Sequence, residues 1–173
     1  MDKQYYPVEI EEKWVKIWSE RKVSNKESNE SFSQVIPPPN VTGTLHMGHS
    51  FQYAIMDFYT RYHHMSGKDS YWQVGSDHAG IATQMVVENN LAKKDISRHD
   101  LGREKFLKEV WSWKNFSEEK ITSQIKRLGS TVDWEKYRFT LDDGFNEAVI
   151  KAFVELYRKE KIYRGYRLVN WDP

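Results

Sequence analysis

His46 and His49 stand three residues apart, with Gly48 between them, directly after Pro37-Pro38-Pro39-Asn40-Val41-Thr42-Gly43-Thr44-Leu45. Residues at i and i+3 share one face of a helix. An imidazole pair placed there can donate hydrogen bonds to a polyphosphate and stabilise charge that develops on it. The first turn of a helix adds its own unpaired N–H groups and the positive end of its dipole. Gly48 leaves room for a flat ring or a backbone to come close. A second candidate is Asp77, within Gly75-Ser76-Asp77-His78-Ala79-Gly80. It reads either as a cap for the helix that follows or as an anion that holds a substrate ammonium at the mouth of a pocket. A different chemistry would join His46, His49 and His78 as zinc ligands of a metal-dependent hydrolase. Against it, Met47-Gly48 sits inside the ligand pair and no glutamate lies beside it.

The elements that must position these groups follow from spacing and punctuation. Phe32 to Ile36 reads as a strand, ended by three prolines that lack N–H donors and have a fixed φ. Asn40, Thr42 and Gly43 supply turn and cap chemistry before a helix that starts near His46 and stops at Gly67. Phe51, Ile55, Phe58, Tyr62 and Met65 recur at helical spacing and are expected to be its core stripe. His63 and His64 at its end suit the helix dipole and carry no assigned role. Residues 69–75 read as a second strand. Strand, helix and strand make a βαβ unit with parallel strands and a right-handed crossover, and ligands bind such sheets at the carboxyl ends of the strands.

Around this unit, Pro7 opens a first helix with Ile10, Trp14, Ile17 and Trp18 on one stripe, either core or a docking face. Residues 22–31 read as an exposed loop. Ser76 or Asp77 is expected to cap a helix through Met85, Val86, Val87 and Leu91. Residues 93–100 read as a charged turn, Leu101 to Trp113 as a helix with Asp100 as a possible cap, and Ile121, Ile125 and Leu128 as a second amphipathic piece ending at Gly129. Asp133-Trp134 and Arg138 to Asp142 look irregular or short and extended, Phe145 to Tyr157 a last helix, and Ile162 to Trp171 a strand. Arg158, Lys159, Lys161, Arg164 and Arg167 form a basic cluster that either faces solvent or meets an RNA backbone.

Composition excludes several classes. With 173 residues, 39% hydrophobic, the chain can build one ordinary core. A formal charge of +1 offers no global attraction to nucleic acid, and the absence of cysteine excludes disulfides and thiolate-ligated zinc. No apolar run reaches the ~18 residues of a membrane span. Met1-Asp2-Lys3-Gln4 is no signal peptide, so a cytoplasmic protein is expected.

His46-Met47-Gly48-His49 resembles the HIGH signature of class I aminoacyl-tRNA synthetases. The longer string from Pro37, and the run Gly75 to Gln84, are similar to the valine branch of that family more than to its isoleucine and leucine branches. Leu101-Gly102-Arg103-Glu104, Arg127-Leu128-Gly129-Ser130, Asp133-Trp134 and Arg167 to Pro173 share this resemblance, which runs from about residue 5 to the end; many members have Pro where this chain has Val74. The resemblance implies an α/β fold, the first half of a Rossmann-like (HUP-type) parallel nucleotide-binding fold with an N-terminal helix and additional helices. It implies residues 1–31 as an N-terminal helix and loop, 32–168 as that first half, and 169–173 as the start of a linker to an editing insertion. His46 and His49 would be catalytic, and Gly43, His46, Gly48 and His49 would bind ATP with accompanying Mg²⁺. Pro37, Pro38, Asn40 and Asp77 would bind valine, with no protein-held metal. The partners implied are valine, ATP and tRNA(Val), with no membrane and a monomeric full-length enzyme. The family's editing domain, KMSKS loop and anticodon-binding helices have no counterpart here, so the expectation is a fragment inactive alone. The other class left open is a non-catalytic binding module derived from such an enzyme.

Overall fold

A proline at the first position starts α1 (Pro7–Ser19), where the missing N–H has no helical partner to lose. The computed structural model describes residues 4–20 and 28–171, so most of the expected loop at 22–31 lies outside the described residues. Trp14 and Trp18 pack together on one side of α1, their ring centroids 5.9 Å apart. Arg61 stacks over the Trp18 ring at 4.9 Å, and Glu11 pairs with Arg127 at 3.0 Å. The α1 stripe is therefore a docking face, half-exposed rather than core.

β1 (Ser31–Val35) and β2 (Asp69–Gln73) pair in parallel, in register from Ser31 opposite Asp69 to Val35 opposite Gln73. Between them runs α2 (Met47–Met65), which completes the expected βαβ unit. A second pair of strands, β3 (Gly75–Ser76) and β4 (Arg138–Phe139), is also parallel. It forms because Gly75 brings its backbone against Arg138; a Cβ there would lie 2.5 Å from the Arg138 carbonyl oxygen. The remaining helices are α3 (Gly80–Ala92), α4 (Arg98–Arg127) and α5 (Asp143–Arg158). Ile36, Tyr53, Trp72, Val74, Ile121 and Ile125 form the core, flanked by Leu45, Met56, Val132, Trp134 and Tyr137. Each such side chain contributes about 1.5–3 kcal/mol when fully buried. The contacts divide the chain into two units, Met1–Phe139 and Thr140–Pro173.

Several expectations are corrected. The stripe Phe51, Ile55, Phe58, Tyr62 and Met65 is not core: exposure runs from 43% at Ile55 to 86% at Met65. The two-stranded sheet covers one face of α2 only, and the residues buried there are Tyr53 and Thr60. Periodicity identifies an apolar stripe but cannot say which side a small sheet will cover. The two pieces expected at 101–113 and 121–128 run on as one helix, and Gly102, with non-helical φ 71° and ψ 167°, breaks α4 into a first turn and this long remainder. Ser97 is the N-cap of α4, and Asp100 serves from the third helical position in a reciprocal capping box. Residues 162–171 form no strand among the described residues, since no second strand pairs with them. His63 stacks on Phe32 at 4.0 Å and is a packing residue.

Candidate functional site

Neither Asn40, Thr42 nor Gly43 caps α2. His46 itself is the N-cap, with extended backbone, and the histidine pair does the capping reciprocally. The Gly48 N–H donates to His46 Nδ1 (3.1 Å), and the His46 N–H donates to His49 Nδ1 (3.2 Å). Two of the orphan donors of the first turn are thus satisfied by imidazoles. An Nδ1 that accepts cannot carry the proton, so each neutral ring is the Nε2–H tautomer. The two rings lie 4.0 Å apart, each with one N–H donor left for a ligand. Here, close to the helix N-terminus, the dipole favours an anion.

Gly48 leaves room for a ring of the protein itself. The ring that approaches it is the His46 imidazole: a Cβ at Gly48 would meet His46 Cε1 at 2.9 Å and Nδ1 at 3.0 Å. Gly48→Ala is expected to displace that ring. The lost cap costs about 1 kcal/mol, and the helix propensity of alanine over glycine returns a similar amount. Urea unfolding should therefore change little, while the ¹⁵N spectrum should show His46 Nδ1 no longer accepting a bond.

Burial, and then the neighbouring His46, hold the His49 pKa below its ordinary value. With the folded value lowered, the unfolded chain binds the extra proton first as pH falls. The stabilisation is complete above the ordinary histidine value and is lost as pH falls through the folded one. Protonation also removes the Nδ1 acceptor from the His46 N–H. Unfolding free energy should fall between about pH 7.5 and pH 5, and His49→Asn should lose part of that dependence.

The proline loop is fastened to the second motif by a parallel bridge between Asn40 and Asp77. The Val41 N–H donates to the Asp77 carbonyl (3.0 Å), and the Asp77 N–H donates to the Pro39 carbonyl (2.9 Å). Pro39 is buried, while Pro37, Pro38 and Asn40 are exposed beside it. The bridge therefore brings the Pro37–Asn40 turn to Asp77. Neither Ser76 nor Asp77 occupies the N-cap position of α3, which belongs to Ala79 in a left-handed conformation without a side-chain cap. Asp77 still serves the turn: its Oδ1 accepts from the Ala79 N–H at 3.0 Å and lies 3.4 Å from His78 Nδ1. Its side chain remains 38% exposed. His78 points toward Phe139, edge to face at 6.5 Å. Among the described residues no three His, Cys, Asp or Glu side chains gather as a metal would require, so the zinc-hydrolase alternative has no site.

Six supporting residues carry no motif mark in the sequence. Trp113 Nε1 donates to the Val41 carbonyl (3.0 Å), Ser117 Oγ donates to the Gly43 carbonyl (3.0 Å), and Gln124 Oε1 accepts from the Leu45 N–H (3.0 Å). Under the Asp77 motif, Glu118 Oε1 accepts from Ser76 Oγ (3.0 Å) and from Tyr137 Oη (2.9 Å), and Glu118 Oε2 pairs with Lys114 Nζ (2.6 Å). Burial, and then the Glu118 charge, push the Tyr137 pKa up, so its hydroxyl stays a donor. The only signal in sequence was that Ser117 and Gln124 interrupt an apolar helical stripe. Gly43 itself meets nothing within 4 Å of an added Cβ. In the second unit, Arg158, Lys159, Lys161, Arg164 and Arg167 are all exposed.

A parallel βαβ unit, with the histidine cap at the start of its crossover helix, is the arrangement of half of a Rossmann-like α/β fold. The family profile described as tRNA synthetases class I (I, L, M and V) matches residues 9–173, and the chain belongs to that family. It is 59% identical over 170 residues to the valine–tRNA ligase of Acinetobacter baylyi, covering 98% of this chain and 18% of that protein. It is 53% identical over 176 residues to the valine–tRNA ligase of Francisella tularensis subsp. tularensis, covering 100% of this chain and 19% of that one. The chain thus spans less than a fifth of the length of either relative. Among solved structures, it superposes on LeuRS of Agrobacterium radiobacter, in a ternary complex with tRNA and LeuAMS, with a TM-score of 0.71 at 21% identity. That match covers 92% of this chain and 19% of that one, and it shows the shared Rossmann-like α/β fold.

Proposed function

We propose that this chain supplies the valine- and ATP-holding half of a valine–tRNA ligase, which joins valine to ATP as valyl-adenylate, releases pyrophosphate and passes valine to tRNA(Val). The observation that carries the reading is the His46–His49 cap at the start of α2, held on the same loop that the Asn40–Asp77 bridge ties to the second motif. In this reaction the valine carboxylate attacks the α-phosphorus and pyrophosphate leaves. The protein positions both reactants and meets the charge that develops on phosphate. The Nε2–H groups of His46 and His49 contact the phosphates, with Gly43 and Gly48 lining the ATP side. Asp77 takes the valine ammonium, and Pro37, Pro38 and Asn40 border its side chain. Mg²⁺ would arrive with ATP, on its phosphate oxygens. The exposed basic residues after α5 would meet the tRNA backbone. The corresponding setting is a monomeric enzyme in the cytoplasm, with residues 32–168 as the first half of its catalytic domain. No helix among the described residues is long and apolar enough to cross a membrane.

Calorimetric titration with a non-hydrolysable valyl-adenylate analogue, beside its isoleucyl and threonyl counterparts, tests the binding. Grafting the chain in place of the matching segment of the Acinetobacter baylyi enzyme tests the activity, read as valine-dependent ATP–pyrophosphate exchange. Binding that prefers the valyl analogue, and that weakens for all three in Asp77→Ala, is expected. A graft that exchanges pyrophosphate with another amino acid in preference to valine would sink the assignment.

A further inference from the structure

We infer that α4 is the positioning element for the histidine cap, acting through Trp113, Ser117 and Gln124, three side chains that never touch the reactants. This rests on the catalytic reading given above. The loop from Val41 to Leu45 has no regular ladder of its own: three prolines precede it and the helix begins only after it. Its backbone groups need partners from elsewhere, because a buried carbonyl or amide left unpaired costs about 1–3 kcal/mol. α4 supplies them in order. The Trp113 indole donates to Val41 O, the Ser117 hydroxyl to Gly43 O, and the Gln124 amide oxygen receives the Leu45 N–H.

The spacing makes α4 a ruler. Residues 113, 117 and 124 fall on one helical face, spread over about 16 Å of helix at 1.5 Å per residue, and their side chains converge on the loop. That same face is pinned by Ile121 and Ile125, both fully buried in the core. The ruler cannot slide without opening the core. Its last bond falls on the amide immediately before His46, the residue whose backbone and ring form the cap. A shift of the Leu45 peptide therefore moves the His46 N–H away from His49 Nδ1 and releases the tautomer of both rings. The neighbouring turn of α4 holds Ser76 through Glu118, so one helix sets both motifs at fixed separation.

The test has two arms. In the 173-residue chain, ¹⁵N spectra of the imidazoles read the cap directly and need no activity. The parent should show His46 and His49 as Nε2–H tautomers. Ser117→Ala, Gln124→Leu and Trp113→Phe should each give mixed tautomers. Ser117→Thr and Gln124→Glu, which keep the donor or the acceptor, should restore the parent spectrum. Ser123→Ala, which loses only a bond to Lys120 O within the helix, should change nothing. In the graft, kcat for pyrophosphate exchange should fall about tenfold in Ser117→Ala and Gln124→Leu, as misplaced catalytic groups do. The KM for valine should stay within about twofold, since the Asn40–Asp77 bridge is untouched. Parent-like imidazole spectra in the folded variants would overturn the proposal. So would equal losses in kcat and valine KM that track thermal stability alone. A parent graft with no exchange would instead count against the catalytic reading, with the spectra still deciding the role of α4.

Discussion

Glu118→Leu is expected to destabilise the chain by about 2–3 kcal/mol in a urea titration, the cost of leaving one member of a half-buried ion pair alone and two hydroxyls without their acceptor. The Lys114 and Glu118 side chains are 14% and 19% exposed and 2.6 Å apart. Removing the carboxylate strands the ammonium over the Phe139 ring, which it approaches at 4.3 Å, and a ring face recovers only about 2 kcal/mol. Ser76 Oγ and Tyr137 Oη lose their shared acceptor at the same time, although the Tyr137 hydroxyl can then donate to Ser76 Oγ, 2.6 Å away. The damage falls on the β3–β4 pair and so on Asp77 beside it. Lys114→Met/Glu118→Leu, which takes both charges out, should recover most of the loss. A double variant as unstable as the single one would show that packing at position 118, not the unpaired charge, sets the cost.

His49→Ala should lower kcat for valyl-adenylate formation in the graft by about 10²–10³, the range seen when one preorganised donor to a developing anion is removed. It also deletes the acceptor of the His46 N–H, so part of the effect could be a loosened helix end rather than lost charge stabilisation. His46→Asn separates the two. Asparagine is among the preferred N-caps and keeps the helix start within a few tenths of a kcal/mol, yet it offers no Nε2–H at the imidazole position. If His46→Asn keeps the unfolding free energy and still loses about 10²-fold in kcat, the imidazoles act on the reactants. If it keeps both, the pair is a cap and nothing more.

The local order of the site was legible in the sequence. Three prolines after an apolar pentapeptide can only end a strand, and the helical spacing from His46 to Met65 with Gly67 beyond it bounds the crossover helix, so the parallel β1–α2–β2 unit follows. The placing of His46, Gly48 and His49 in one turn needs nothing but helical periodicity. Membership of the family was carried by the length of the motif string, a property of the chain alone.

What periodicity could not decide was which surface faces what. The apolar stripe Phe51 to Met65 reads as core, but the sheet covers the Tyr53–Thr60 face, because coverage depends on the number and order of strands rather than on the helix. Asn40, Thr42 and Gly43 look like caps by residue type. His46 does the capping because only the folded loop brings its Nδ1 over the Gly48 N–H. Trp113, Ser117, Gln124 and Glu118 lie 42 to 79 residues from the groups they hold. Their partners are mostly backbone atoms, which every residue carries and no motif can mark. The residue types and spacing thus determined what chemistry was on offer, and tertiary contact alone decided which groups hold it in place.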